Sequence, residues 1–301
     1  MKVFMTISEA ETITSGSIQL HISQSQASRI VRKLERSLGV ALFRRNSKGI
    51  HLTGEGALFH ETCTKILKYT ATEMRSLQNH YSGEYGEVTV SVLPSMAYEH
   101  LAQWATAFKE TFPNSTFNVF DAVSHDALEA VRTGRADTAI ASCGLERPDG
   151  RVHPLFSDLT EFQIDDLFSE DFFFIESSAR TRGDQPTWAE ALSRGTVGFN
   201  RNSSVSQCLS IISRLEGFDY NPVTLTSNPL VLSGFVESGL GVSVVPDTNL
   251  QIMANRGISA YRLGSYRRVV SVVSRRGRKT PLVNSFISTV VKTFNPDSTL
   301  D

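Results

Sequence analysis

Residues 23 to 45 read SQSQASRIVRKLERSLGVALFRR and hold six of the chain's 30 Lys and Arg residues. At about 100° per residue, Ala27, Val31, Leu34 and Leu38 fall on one side of a helix, with Ser25, Arg29, Arg32, Lys33 and Arg36 opposite. Ser23 and Gln26 make an S-x-x-Q capping box at its start, and Gly39 is placed to end it. Glu35 is the only acid between residues 23 and 48. A solvated surface helix usually mixes acids with its bases so that neighbours pair. A cationic face without that mixture points to a phosphate-bearing partner, although on this helix alone a solvated face with excess charge stays open.

The imbalance is local. Residues 1 to 60 carry eight basic and four acidic side chains, which leaves 22 and 27 for the other 241. Such a chain has a basic front and a mildly acidic remainder, and at 301 residues it should form two or three domains. Three cysteines, Cys63, Cys143 and Cys208, are too few and too scattered for a disulfide framework or a closed zinc site, and the seven histidines show no ligand spacing. Cys143 and Cys208 read as buried thiols rather than a redox pair. Ser8, Glu9 and Glu11 interrupt the first apolar stretch, and no later run approaches a membrane span. A soluble cytoplasmic protein is expected, without metal or cofactor.

Upstream of the basic helix, Val3 to Ala10 and Thr14 to Leu20 read as short helices. His21 and Ile22 then lead directly into Ser23, so two helices meet across a short turn, as in a helix-turn-helix. Downstream, Val40, Leu42 and Phe43 form an apolar anchor, Asn46 to Gly49 a polar turn, and Ile50 to Thr53 a short strand, which together make a wing.

These residues resemble the amino-terminal domain of LysR-type transcriptional regulators. The family's pattern is met by Ser23-Gln24, Leu34-Glu35, Leu38-Gly39, Leu42-Phe43-Arg44-Arg45 and Leu52-Thr53-Gly54-Glu55-Gly56, with its spacing kept throughout. The resemblance implies a winged helix-turn-helix, a linker helix and a two-lobed α/β, periplasmic-binding-protein-like effector domain. Its boundaries here would be 1–56, 57–85 and 86–301, with lobe 1 at about 86–163 and 268–301 and lobe 2 at about 164–267. Double-stranded promoter DNA would be held by Ser23, Gln24, Ser25, Gln26, Arg29, Arg32, Lys33, Arg36, Arg44, Arg45 and Lys48. Among these, Ser25, Gln26 and Arg29 face base edges, and the cations further along the helix and on the wing face phosphates, with Arg32 placed to do either. Gly16-Ser17 replaces the family's usual Ala-Ala pair, which predicts weakened packing of the second helix. The chain starts three residues before Phe4, which predicts a first helix without its opening turn.

Residues 57 to 81 contain neither proline nor glycine and carry Phe59, Cys63, Ile66, Thr70, Leu77 and Tyr81 near heptad spacing. That stripe needs a partner, either its own domain or a second copy, and the resemblance implies a homodimer or homotetramer, with Cys63 a small core residue. From Glu87, strands alternate with helices through "TFNVF", "DTAIA", "FFFI", "TVGF", "GLGVSVVP" and "VVSVV". The alternation predicts parallel α/β packing in two halves, and the resemblance implies crossings between them near 162–166 and 264–269. Open α/β sheets bind ligands beyond the carboxyl ends of their strands. At such places stand Ser95, Ser142, Arg201, Asn202, Ser203 and Ser204. They make a small anionic effector, such as a carboxylate, the expected ligand, although serines there also serve as plain helix caps. The second basic run, "RRVVSVVSRRGRK", reads as a solvated strand flank.

Two other readings remain: a solute-binding or enzymatic α/β protein with a basic attachment domain, and a nonspecific architectural DNA protein. No nucleophile, base and orienting group assemble by recognisable spacing, so no enzyme activity is expected. An architectural protein would have no need of two α/β lobes.

Overall fold

The computed structural model describes residues 2–10, 12–46, 49–81, 86–180, 184–253, 256–277 and 279–295. Lys48 lies outside them, and of Arg45 only the backbone is described. The chain divides into two compact units after Met74.

The first unit begins with α1 (Lys2–Ser8), α2 (Ile13–Gln19) and α3 (Gln24–Leu38). Ser23 and Gln26 form the reciprocal capping box, and Gly39 ends α3 with a left-handed φ of 71°. Ile7, Ile13, Ala27, Val31 and Ile50 make one small core. The buried stripe of α3 closes at Leu34; Leu38 and Val40 remain 43% and 42% exposed, contrary to their expected core-facing roles. In the second helix Gly16 is buried against α1. An added Cβ would lie 3.1 Å from Ile7 Cγ1 and 3.3 Å from its Cα. Glycine here permits close packing of α2 on α1, set against its lower helix propensity.

Next, β1 (Phe43–Asn46) and β2 (Gly49–Leu52) pair antiparallel as the wing, and α4 (Gly54–Tyr81) follows. Leu-Thr-x-x-Gly joins the wing to α4. The Thr53 hydroxyl donates to Ala41 O at 2.7 Å and accepts from Gly56 N at 2.9 Å. A Cβ on Gly56 would overlap the Leu42 carbonyl oxygen. Phe4, Leu42 and Cys63 share a second core, with Phe59 packed on it. The amino-terminal part of the expected pairing stripe therefore serves its own domain. Leu58, Ile66, Leu67 and Met74 of α4 stay exposed.

In the second unit, β3 (Glu87–Val92), α5 (Pro94–Thr111), β4 (Thr116–Asp121), α6 (Ser124–Arg132), β5 (Thr138–Glu146) and β6 (Val152–Pro154) build most of lobe 1. After β7 (Phe162–Ser177) come α7 (Trp188–Ser193), β8 (Val197–Phe199), α8 (Ser204–Glu216), β9 (Thr224–Thr226), α9 (Pro229–Glu237), β10 (Ser243–Pro246) and α10 (Asp247–Ile252). The chain returns through β11 (Ile258–Arg275) and ends its described part with α11 (Pro281–Phe294). One seven-stranded sheet runs β10-β7-β11-β5-β3-β4, with β6 on β5; β8 and β9 pair separately, in parallel.

The sheet is mixed rather than purely parallel. β3 pairs parallel with β4 and β5, whereas β7, β10 and β11 pair antiparallel. Strand β5 is buried along almost its whole length because helices cover both faces. Ile140 joins Val90, Trp104, Phe108 and Phe286 on one face, while Ala139, Ala141 and Cys143 join Leu128, Val131 and Phe162 on the other. Lobe 2 closes over Phe172, Phe174, Trp188, Phe199, Ile212 and Leu232.

Strands β7 and β11 cross between the lobes. Residues 162–171 of β7 pair with 267–275 of β11, which also bear β5; residues 172–175 pair with β10 and with lobe 2's end of β11. The first crossing thus lies near Asp171 and Phe172 rather than at 162–166, because lobe 1 keeps the first half of β7. The second falls at the register break between Leu263 and Arg267, where Ser265 adopts a φ of 80°.

Candidate nucleic-acid interface and interlobe cleft

In the first unit, the cap residue Ser23 and, on α3, Gln24, Ser25, Gln26, Arg29, Arg32, Lys33 and Arg36 are all exposed, and Arg44 is exposed on the wing. Gln26 is already engaged: its Oε1 accepts from Ser23 N at 3.0 Å and Ser23 Oγ at 3.1 Å. A bidentate approach to adenine would need that carbonyl oxygen, so Gln26 serves first as a cap. Arg36 Nε donates to Arg32 O at 3.3 Å. Arg29, Arg32 and Lys33 have no acidic partner among the described residues.

The sole acid of the segment does not soften this charge. Glu35 Oε1 accepts from Leu42 N at 2.9 Å and Phe43 N at 3.2 Å. It fixes the chain where α3 hands over to the wing, and leaves the opposite helix face cationic. Sequence reading marked Glu35 as part of a motif but missed this task; two backbone donors seven and eight residues on leave no periodic trace.

In the second unit a cleft of about 820 Å³ opens between the lobes. Pro94, Tyr98, Asp121, Val123 and Asp126 line it from lobe 1, and Arg201, Asn202, Ser227, Asn228 and Leu230 from lobe 2. It narrows to a neck of about 30 Å³, lined by Ser95, Ser124, Ser203, Ser204, Asn249 and Arg268, with Pro94, Val123, Ser227 and Pro229 shared between the two spaces. Four helix N-termini reach these walls. Ser203 caps α8 by accepting from Ser206 N at 3.1 Å, and Asn228 caps α9 by accepting from Leu230 N at 2.8 Å. Helices α5 and α6 carry no side-chain cap. Uncapped N-termini keep amide donors and a partial positive charge for an anion, apart from Pro94 at the start of α5, which has no N–H, and the His125 amide of α6, which donates to Asn202 O.

The six residues expected to face an effector separate into different roles. Ser95 is 3% exposed, lines the neck and has no side-chain partner among the described residues. Arg201 and Asn202 line the wide cleft, where Asn202 O accepts from His125 N across the lobes at 3.4 Å. Ser203 is a cap. Ser142 is fully buried off the cleft lining; its N–H donates to Ser124 Oγ at 3.0 Å, and its own Oγ is unpartnered. Ser204 Oγ sits 3.4 Å from Arg268 Nη1.

Arg268 departs most from the sequence reading, which placed it in a solvated flank. It is 2% exposed and forms a charge pair with Glu170, Nε to Oε1 being 2.8 Å. Thr248 completes the cluster: its Oγ1 accepts from Arg268 Nη2 at 3.2 Å, and its N–H donates to Glu170 Oε2 at 2.8 Å. Arg267, one residue earlier, points outward to Glu146 and Asp171, as the two-residue period of a strand requires.

Burial raises the Cys143 and Cys208 thiols to about 12, which leaves negligible thiolate at neutral pH and no support for a redox pair. Among the described residues no group of His, Cys, Asp or Glu could hold a metal ion, and no helix is long and apolar enough to cross a membrane.

Comparison with known proteins agrees with this architecture. Residues 1–57 match the bacterial regulatory helix-turn-helix protein, lysR family, and residues 82–295 the LysR substrate binding domain. The HTH-type transcriptional regulator ClcR of Pseudomonas putida is 23% identical over 293 residues, covering 96% of each chain. The regulator BsdA of Bacillus subtilis is 27% identical over 259 residues, 82% of this chain and 84% of its own. Full-length CbnR, solved with its target DNA, superposes with a TM-score of 0.65 at 19% identity, covering 97% of this chain and 98% of that one. With both models matched in order and the second spanning more than half its length, the chain belongs to the LysR family of DNA-binding transcriptional regulators with an effector-binding domain.

Proposed function

We propose that the chain regulates transcription with α3 in the major groove of its operator, Ser25 and Arg29 reading base edges, and Arg32, Lys33, Arg36 and the wing cations Arg44, Arg45 and Lys48 holding phosphates. Ser23, Gln24 and Gln26 set the helix start against the backbone. The working unit is a cytoplasmic homodimer or homotetramer that uses the exposed apolar face of α4. The effector is a small molecule bearing a carboxylate. It seats between the lobes with that group in the neck, near Ser95, Ser204 and the uncapped ends of α5 and α6, and Arg201 and Asn202 flank the entrance. Its role is to bind and shift conformation, without turnover or a cofactor.

One observation carries the DNA reading: Arg29, Arg32 and Lys33 on the cationic face of α3 have no acidic partner among the described residues, while the helix's only acid is turned to the wing. Footprinting on the chain's own upstream region should show a discrete, two-part protected site. Absence of protection in dilute buffer would remove the proposal. Thermal-shift screening against organic acids should give hits that Arg201→Ala weakens; hits that stabilise both proteins equally would exclude Arg201 from the site.

A further inference from the structure

The charges around the cleft do not suit a ligand that is only an anion. The one guanidinium in the neck, Arg268, already answers the Glu170 carboxylate, so it adds no net charge. On the wide cleft, Asp121 and Asp126 face the space from lobe 1 against the single guanidinium of Arg201 from lobe 2. A purely anionic ligand would therefore enter a lining whose net charge has its own sign.

Asp121 and the neck are neighbours by construction. Asp121 is the register partner of Val92 in the parallel β3–β4 pair, and three residues after Val92 the chain reaches Ser95. Asp126 stands in the first turn of α6, whose uncapped start also borders the neck. Ser95, a buried residue that lines the neck and has no side-chain partner among the described residues, thus sits one strand end from Asp121 and beside the helix start that carries Asp126. Tyr98, Leu230 and Ile252 give the same cleft an apolar wall.

We propose that the ligand is a zwitterion, an amino acid with an apolar body, whose carboxylate enters the serine-lined neck and whose ammonium group meets Asp121 and Asp126. The assignment rests on the effector-cleft reading above and deepens it by naming the ligand's class. The carboxylate receives the Ser95 hydroxyl and the first-turn amides of α5 and α6 other than that of His125, which donates to Asn202 O. The ammonium group offers three donors to acceptor-only carboxylates, a charge-assisted pairing that a carboxylic acid without an amine cannot make.

Isothermal titration of the full chain with α-, γ- and ε-amino acids, each beside the same acid lacking its amine, tests the proposal. At least one amino acid should bind about tenfold or more tighter than its amine-free counterpart, as loss of one charged hydrogen bond would give. Asp121→Asn/Asp126→Asn should erase that preference while still binding the amine-free acid, which also shows that the variant is folded. Equal or tighter binding of the amine-free acids by the unaltered chain would overturn the zwitterion and leave the cleft reading standing. Binding of neither series, up to millimolar concentration, would overturn both.

Discussion

Glu35 and Gly56 show how much of this protein's DNA-binding unit depends on single atoms. The Glu35 carboxylate holds two consecutive backbone N–H groups at the entry to the wing. Removing it leaves donors on a partly buried loop at a cost of about 1–3 kcal/mol. Charge counting alone gives Glu35→Ala one more net positive charge and tighter DNA binding. The geometry gives the opposite sign: the variant should unfold at lower temperature and bind operator more weakly, because the wing loses its anchor. Calorimetry and a gel shift on the same sample decide between the two. Gly56 is constrained by space, since a methyl group there meets the Leu42 carbonyl oxygen. Gly56→Ala should cost about 1–3 kcal/mol by overpacking, read as a lower urea midpoint.

At the scale of elements, α3 and the wing divide the work of binding. Arg29→Ala should cost about 1–3 kcal/mol on the operator, with little change on random duplex, whereas Arg44→Ala should weaken both and lower the salt slope by about one. Equal losses for both variants on both DNAs would end that division. The helix itself was legible, since its cap, stop and amphipathic period all lie within a few residues of one another. The strand–helix alternation and the polar strand ends of the second unit were legible for the same reason. The remainder depended on long-range pairing. Nothing local marks Asp171 rather than residues 162–166 as the first crossing, because a strand shared by two lobes has no break in its pattern. Ser142 and Ser95 look alike in sequence, yet only Ser95 lines the neck, and Asp121 and Asp126 acquire meaning only when the β3–β4 pairing and the start of α6 bring them beside it. Arg268 was misread because a burial that depends on a partner 98 residues away cannot be seen in a run of neighbouring bases.

Across the second unit as a whole, the Arg268–Glu170 pair stands where both lobes and both crossing strands meet. Glu170 belongs to β7 and Arg268 to β11, and their remaining hydrogen bonds go to the starts of α8 and α10 in lobe 2. A buried pair of this kind has little net worth compared with an apolar substitute, but removing one partner strands the other charge in a low-dielectric site. Glu170→Gln should therefore destabilise the unit by about 3–5 kcal/mol, and Arg268→Met by a comparable amount. Glu170→Gln/Arg268→Met together should cost clearly less than the sum of the two, a coupling that a double-mutant cycle in urea reads directly. If the pair also sets how the lobes stand around the neck, the double variant will fold yet lose ligand-dependent change in operator footprint. Additive single costs would show instead that the two side chains act independently, and a double variant with an unaltered ligand response would confine the pair to holding the fold.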